Sequence, residues 1–231
     1  MTNSGPPLPT DKTAATDHAR QNMQSLVAEL TGRGCEVLLF NKEGRPAPQE
    51  GSLEFDIEAP DSYGDTLVVP GIPTRSLKSA TEKDSWLLRW GHKSYTWTAF
   101  VEERSALAQG LRTIHANADL FVAELRKHGL PLNADGVGPD WDAASSTWIT
   151  YDLPIGDEVV YVSFPDQPIG PGLDQVLYVQ GEEHTWEAAV MAVFTEAGVP
   201  VPDRPPRISS PPDRDHLPVA GPDGRVRSEE T

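Results

Sequence analysis

A chain of 231 residues has room for one large domain or two small ones, and its 38% hydrophobic content suffices for packed cores once proline-rich ends are set aside. The formal net charge of −16 repels phosphate backbones and anionic lipid, which disfavours direct nucleic-acid and membrane binding. The single cysteine, Cys35, excludes an intrachain disulfide and any multi-cysteine metal site; with no secretory leader pattern and no bilayer-length apolar run, the expected setting is cytoplasmic.

Residues 1–16, with Gly5, Pro6, Pro7 and Pro9, are expected to be disordered. A helix follows, capped by Thr16 or Asp17, with Met23, Leu26, Val27 and Leu30 at helical spacing and Gly32 and Gly34 as its stop. Glu36–Asn41 is an apolar run that reads as a buried strand. In Ser52–Ala59, Leu53, Phe55 and Ile57 alternate with acidic residues, the period-two pattern of a sheet covered on one side. Asp65–Val69 and Ser85–Trp90 are two further strands. Lys93–Val101 favours a strand by propensity, leading into helix from about Arg104. Apolar positions 107, 111, 114, 118, 121, 122 and 125 then place one long helix across the middle of the chain. Strands are expected at Thr147–Asp152, Glu158–Ser163 and Gln175–Val179, with a hairpin turn at Pro154-Ile155-Gly156-Asp157. Trp186–Ala197 forms a helical stripe between Thr185, placed to cap it, and Gly198, placed to end it. Eight of the 22 prolines fall in 199–231, which is expected to be a disordered tail.

Several of these segments echo one another. Val27-Ala28-Glu29-Leu30 with Gly34 recurs 95 residues on as Val122-Ala123-Glu124-Leu125 with Gly129. Trp86–Gly91 resembles Val176–Gly181, and each precedes a Thr-Trp pair, Thr96-Trp97 and Thr185-Trp186. The same order at nearly constant offset suggests one module used twice. The expected fold class is therefore α+β: two pseudo-repeated modules, each a helix followed by an antiparallel β-meander and a closing helix or strand, with disordered tails. The expected divisions are 1–16, a first module over 17–103, a second over 104–198 joined by the long helix, and 199–231. A rigid junction implies that both modules pack around a shared interior.

Candidate chemistry is sparse. His115 and His128 are 13 residues apart, roughly 220° around a helix, so they cannot share a metal, and no H-x-x-x-H or H-x-H occurs. His92 lies in a turn and His184 precedes a helix. Asp140 and Asp142 form a D-x-D pair that suits Mg²⁺ or Ca²⁺, but without a calcium-loop pattern and without a match in the first module. Gly136-Val137-Gly138 and Gly170-Pro171-Gly172 do not continue into phosphate-binding loops, and no nucleophile motif is present. No metal and no cofactor is expected. Of the six tryptophans, Trp97 and Trp186 recur in both modules and read as core, whereas Trp90 and Trp141 are the surface candidates.

The acidity reads either as simple solubility or as a match for a basic partner. Val199–Thr231 carries six acidic and five basic residues, so most of the charge belongs to the foldable part. These features favour a non-enzymatic interaction module (an adaptor, inhibitor or immunity-type factor) that binds a protein, a basic one by charge. The binding residues expected are Trp90, Trp141, Asp140, Asp142, His92 and His184. The alternative is a hydrolase with a cleft between the modules, built from His92, His184, Asp140 and Asp142. A second alternative is a DNA mimic, its carboxylates standing in for phosphates at ~3.4 Å steps.

Overall fold

A computed structural model describes residues 12–59, 65–133, 136–140 and 147–201. The architecture is α+β, with helices lining one face of each of two antiparallel sheets. The first half runs α1 (Lys12–Gly32), β1 (Leu38–Leu39), β2 (Arg45–Pro46), β3 (Leu53–Glu58), β4 (Asp65–Val69), α2 (Thr74–Lys78), β5 (Leu88–Trp90) and β6 (Lys93–Tyr95). Helix α3 (Trp97–Lys127) crosses to the second half. There follow β7 (Gly138–Asp140), β8 (Trp148–Ile155), β9 (Glu158–Pro165), β10 (Leu177–Val179), β11 (Glu182–His184) and α4 (Trp186–Glu196). The C-terminal stretch expected to be disordered lies outside the described residues beyond Val201, as do residues 1–11.

Helix α1 starts earlier than the capping residues suggested. Thr16 donates its hydroxyl back to the Lys12 carbonyl, 2.8 Å away, and Asp17 pairs with Arg20, so both sit within the helix. The buried residues Ala15, Ala19, Met23, Leu26 and Leu30 form its inner stripe. At its end Gly34 adopts φ +81°, and the N–H groups of Gly34 and Cys35 return to the carbonyls of Thr31 and Leu30. Gly129 does the same at the end of α3, at φ +84°, with Gly129 and Leu130 bonding Arg126 and Leu125. A left-handed residue followed by these two bonds satisfies carbonyls that the helix leaves open.

The first sheet has the order β1-β3-β4-β5-β6, with β2 also on β3. Strands β1 and β2 meet opposite ends of β3 and so form one interrupted edge. The buried strand expected at Glu36–Asn41 is thereby corrected: only Leu38 and Leu39 pair, and Leu38 and Phe40 are 58% and 63% exposed. A run of apolar residues does not reveal that its strand is an edge. Strand β3 alternates as its sequence implies, with Leu53, Phe55 and Ile57 turned to the core.

Lys93–Val101 is a strand only over β6, and helix begins at Trp97. The Thr96 hydroxyl accepts a bond from the Ala99 N–H at 3.1 Å, which caps the first turn. Trp97, Phe100, Val101, Arg104 and Ala108 then recur at three-four spacing toward the core, and this tertiary burial overrides their β propensity. This segment and α4 therefore begin alike, each at the tryptophan of a Thr-Trp pair, although Thr185 makes no side-chain cap bond.

The second sheet is a meander in chain order, β7-β8-β9-β10-β11, with Gly156 at φ +63° in the β8–β9 turn. Two hydrophobic cores result. One gathers α1, the first sheet and α3 as far as Ala108; the other gathers α3 from Ile114, the second sheet and α4. The shared interior expected from the sequence is not what forms. At 1.5 Å per residue α3 is about 46 Å long, more than one small core can cover.

The two cores carry matching polar fasteners. Asn22, buried in α1, donates to the carbonyls of Pro70 and Ile72 at 2.8 Å and accepts from Thr74 Oγ1 at 2.6 Å. Asn117, buried in α3, donates to Pro165 and Gln167 at 2.9 and 2.8 Å and accepts from the Ile169 N–H at 3.2 Å. Every partner lies 95 positions further on. A second contact recurs with its partners exchanged. Gly71 is pressed against the Ala15 backbone of α1, whereas Gly110 of α3 faces the Asp166 side chain at the same offset.

Glu29 ties α1 to both neighbouring helices, accepting from Trp97 Nε1 at 2.9 Å and Lys78 Nζ at 3.0 Å, with Arg33 at 3.6 Å. Burial pushes its carboxyl up, but these hydrogen bonds and the charges of Lys78 and Arg33 outweigh burial and hold it below the ordinary value. A carboxyl with a lowered folded pKa contributes fully above its unfolded value, and that contribution is lost as pH falls through the folded one. Denaturant unfolding of wild type and Glu29→Gln from about pH 6 to about pH 3 should show their stability difference shrinking toward acid. A difference independent of pH would contradict the ion pairing.

Candidate functional site

Among the described residues, helices pack on the inner face of the second sheet and no element packs on its outer face, although Asp152 Oδ1 on that side is itself buried. Register determines what that face presents, because directly paired residues point the same way. One row crosses all five strands: Asp140, Thr150, Ser163, Tyr178 and Glu183. The next holds Asp152 and Tyr161, and the next Pro154 and Val159. Tyr161 is 45% and Val159 40% exposed. Trp148 lies edge-on to Tyr178 with ring centroids 4.9 Å apart, and the Thr150 and Ser163 hydroxyls bond at 2.8 Å. Aromatic and hydroxyl groups thus fill the middle of the face, with a carboxylate at either end of the row.

Charge sharpens this picture. From Gly129 to Val201 the sequence holds twelve Asp and Glu residues and neither a Lys nor an Arg. From Lys12 to Thr96 it holds twelve acidic residues against ten basic ones. The first sheet neutralises its own outer face, where Arg45 reaches Asp56 at 2.6 Å. Nothing comparable is available to the second sheet from its own strands, so most of the net negative charge, 12 of 16, is carried by the half of the chain that builds it.

The residues expected to bind are scattered. Trp90 is buried, contrary to its reading as a surface residue: Nε1 donates to Asp65 at 2.7 Å, and the ring lies against Phe100 and the Arg104 guanidinium. His92 is exposed in the β5–β6 turn of the first sheet. Asp140 and His184 belong to opposite edge strands of the second sheet, about 19 Å apart at ~4.8 Å per strand, and His184 pairs with the inward Leu177. Trp141 and Asp142 lie outside the described residues. Of the four that are described, only Asp140 falls on this face, and His92, His184 and Asp140 do not converge. Among the described residues, no three His, Cys, Asp or Glu side chains gather as a metal would require. Cys35 is buried, with Sγ 3.6 Å from the Arg104 carbonyl oxygen.

Sequence reasoning missed the polar pair at His115. An open cleft of about 430 Å³ lies between α3 and β7, with His115, Asp119 and Arg126 on one wall and Tyr151 at its base. His115 Nδ1 hydrogen-bonds the Tyr151 hydroxyl. Burial, reinforced by the Asp119 charge, pushes the Tyr151 pKa up to about 12. The phenol stays protonated at neutral pH, and its bond to His115 ties α3 to the sheet. Compared with protein-family models, curated proteins and solved structures, the chain matches none of them.

Proposed function

We propose that the chain is a non-enzymatic, acidic protein-interaction module that works in the cytoplasm as an adaptor, inhibitor or immunity-type factor. It receives a basic protein on the open face of its second sheet. The observation carrying this reading is that face itself: Trp148, Tyr161 and Tyr178 in the middle, carboxylates at the ends, and no cation between Gly129 and Val201. Negative potential of this kind speeds encounter with a basic partner and selects against acidic ones, while the aromatics supply contact area once water is expelled.

The same reading includes descent from one helix-and-meander unit used twice. The matched Asn22 and Asn117 fasteners, the paired Gly34 and Gly129 caps and the exchanged contact at Gly71 and Gly110 support it. On that view the shared features maintain the fold, and function lies where the copies differ, in the charge and aromatic content of their outer faces. The hydrolase reading has less support, because His92, His184 and Asp140 do not converge. The DNA-mimic reading has less as well, because aromatic and hydroxyl side chains interrupt the carboxylates of the second face.

Calorimetric titration with a lysine- and arginine-rich peptide tests the proposal. The double variant Tyr161→Ala/Glu183→Lys should weaken binding about tenfold or more, and raised salt should weaken it further. Glu54→Lys/Glu58→Lys, on the outer face of the first sheet, should change it far less. Equal losses from both pairs would leave only non-specific charge attraction and overturn the assignment to the second face.

A further inference from the structure

We propose that the chain pairs with a second copy of itself along β1, which joins the two first sheets into one. Among the described residues no strand lies beyond β1. The Phe40 N–H donates to the Asp56 carbonyl at 3.0 Å, so Phe40 and Asp56 form a hydrogen-bonded pair, as do Leu38 and Glu58 two residues away. Leu39, between them, faces Ile57 in a pair that exchanges no bonds. Its N–H and C=O therefore turn outward along the edge, while its side chain packs inward against the first core. Leu38 and Phe40 stand on the opposite face, and both are exposed. Outward backbone groups flanked by exposed apolar side chains make a template for one more strand.

The residues around this edge complement their own copy. In antiparallel pairing about a two-fold axis at Leu39, the two Leu39 residues exchange their N–H and C=O bonds. Leu38 then faces Phe40 of the second copy, in the closer kind of pair where side chains touch. One step further out on the same face, Glu36 meets Lys42 of the second copy, and the axis repeats each contact. Glu36 and Lys42 are both exposed. Apolar thus meets apolar and acid meets base, the self-complementarity that a two-fold contact requires. Charge supports the choice of edge as well. The chain as a whole carries −16, yet residues 12–96, to which β1 belongs, hold twelve acidic residues against ten basic ones. Two copies that meet here do so through the half with the least mutual repulsion.

Sedimentation velocity of the full chain over a range of concentrations tests the pairing. A reversible monomer–dimer equilibrium is expected, with no larger species, because a two-fold contact closes on itself. Phe40→Glu should weaken the dimer by at least about tenfold. It should leave thermal unfolding of the dilute monomer unchanged, since the side chain is exposed. Charge reversal tests the register. Lys42→Glu, which sets two carboxylates against each other at both contacts, should weaken the dimer about fivefold or more, and adding Glu36→Lys should restore it. A chain monomeric at every concentration would overturn the pairing. So would a dimer indifferent to Phe40→Glu or Lys42→Glu, or a loss that Glu36→Lys does not repair. A Phe40→Glu monomer that unfolds more easily would overturn it too, because the chain's own remaining residues would then cover the edge.

Discussion

Replacing Gly71 with alanine is expected to destabilise the protein by about 3 kcal/mol or more, among the largest effects available from a single methyl group. A Cβ at this position would fall far inside van der Waals contact with the carbonyl oxygens of Gly51 and Ala15. Both are backbone atoms, so no side chain can rotate away, and the loop after β4 must withdraw from α1. That withdrawal would also pull Pro70 and Ile72 from Asn22, which bonds both carbonyls at 2.8 Å. Gly110 supplies the comparison. Its added Cβ would meet only the Asp166 side chain, at 3.2 Å, and alanine gains about 1 kcal/mol in a helix interior. Thermal unfolding should therefore separate Gly71→Ala from Gly110→Ala by roughly 10 °C. Near-identical melting temperatures would mean that the close approach at Gly71 is wrong.

The second large effect is expected at the paired asparagines. Asn22→Ala and Asn117→Ala each remove three hydrogen bonds and deprive two carbonyls of this donor, both buried at Asn22 and one buried, one part-buried at Asn117. A lost bond nets about 1 kcal/mol and an orphaned buried acceptor costs about 1–3, so each variant should lose about 3 kcal/mol. The position of the damage is as informative as its size. Because the cores separate along α3 between Ala108 and Ile114, hydrogen exchange should accelerate first in the sheet whose fastener is cut. Asn22→Ala should loosen β3 and β4, and Asn117→Ala should loosen β8 and β9. Uniform acceleration across both sheets from either variant would show a single cooperative core instead.

What the sequence revealed follows from how local each feature is. Strand β4 has the bounds its residues suggested, the Gly156 turn is where a positive φ was needed, and the buried Trp186, Ala189, Val190, Val193 and Phe194 follow the stripe read from the chain. The failures depend on distant partners. Leu38 and Phe40 are as apolar as a buried strand demands, yet among the described residues no strand packs outside β1 to cover them. Trp97 to Val101 is β-prone in isolation and becomes helical once Thr96 caps it over the first core.

The open face was illegible for a related reason. In β9, Val160 is buried and Tyr161 exposed, but only cross-strand register tells which neighbour points outward. Trp90 was mistaken for a surface residue because its partners Asp65, Phe100 and Arg104 come from three other parts of the chain. The charge contrast was present in the sequence throughout, but a whole-chain value of −16 conceals that residues 129–201 hold no cation. Reading charge module by module would have found it.

Residue-resolved NMR of the full chain, titrated with the lysine- and arginine-rich peptide, tests the central claim most directly. The account predicts that shifts concentrate on the Trp148 indole and the amides of Thr150, Tyr161, Ser163, Tyr178 and Glu183, and fade as salt is raised. Shifts centred instead on the exposed edge at Leu38 and Phe40, or on the His115 cleft, would contradict it.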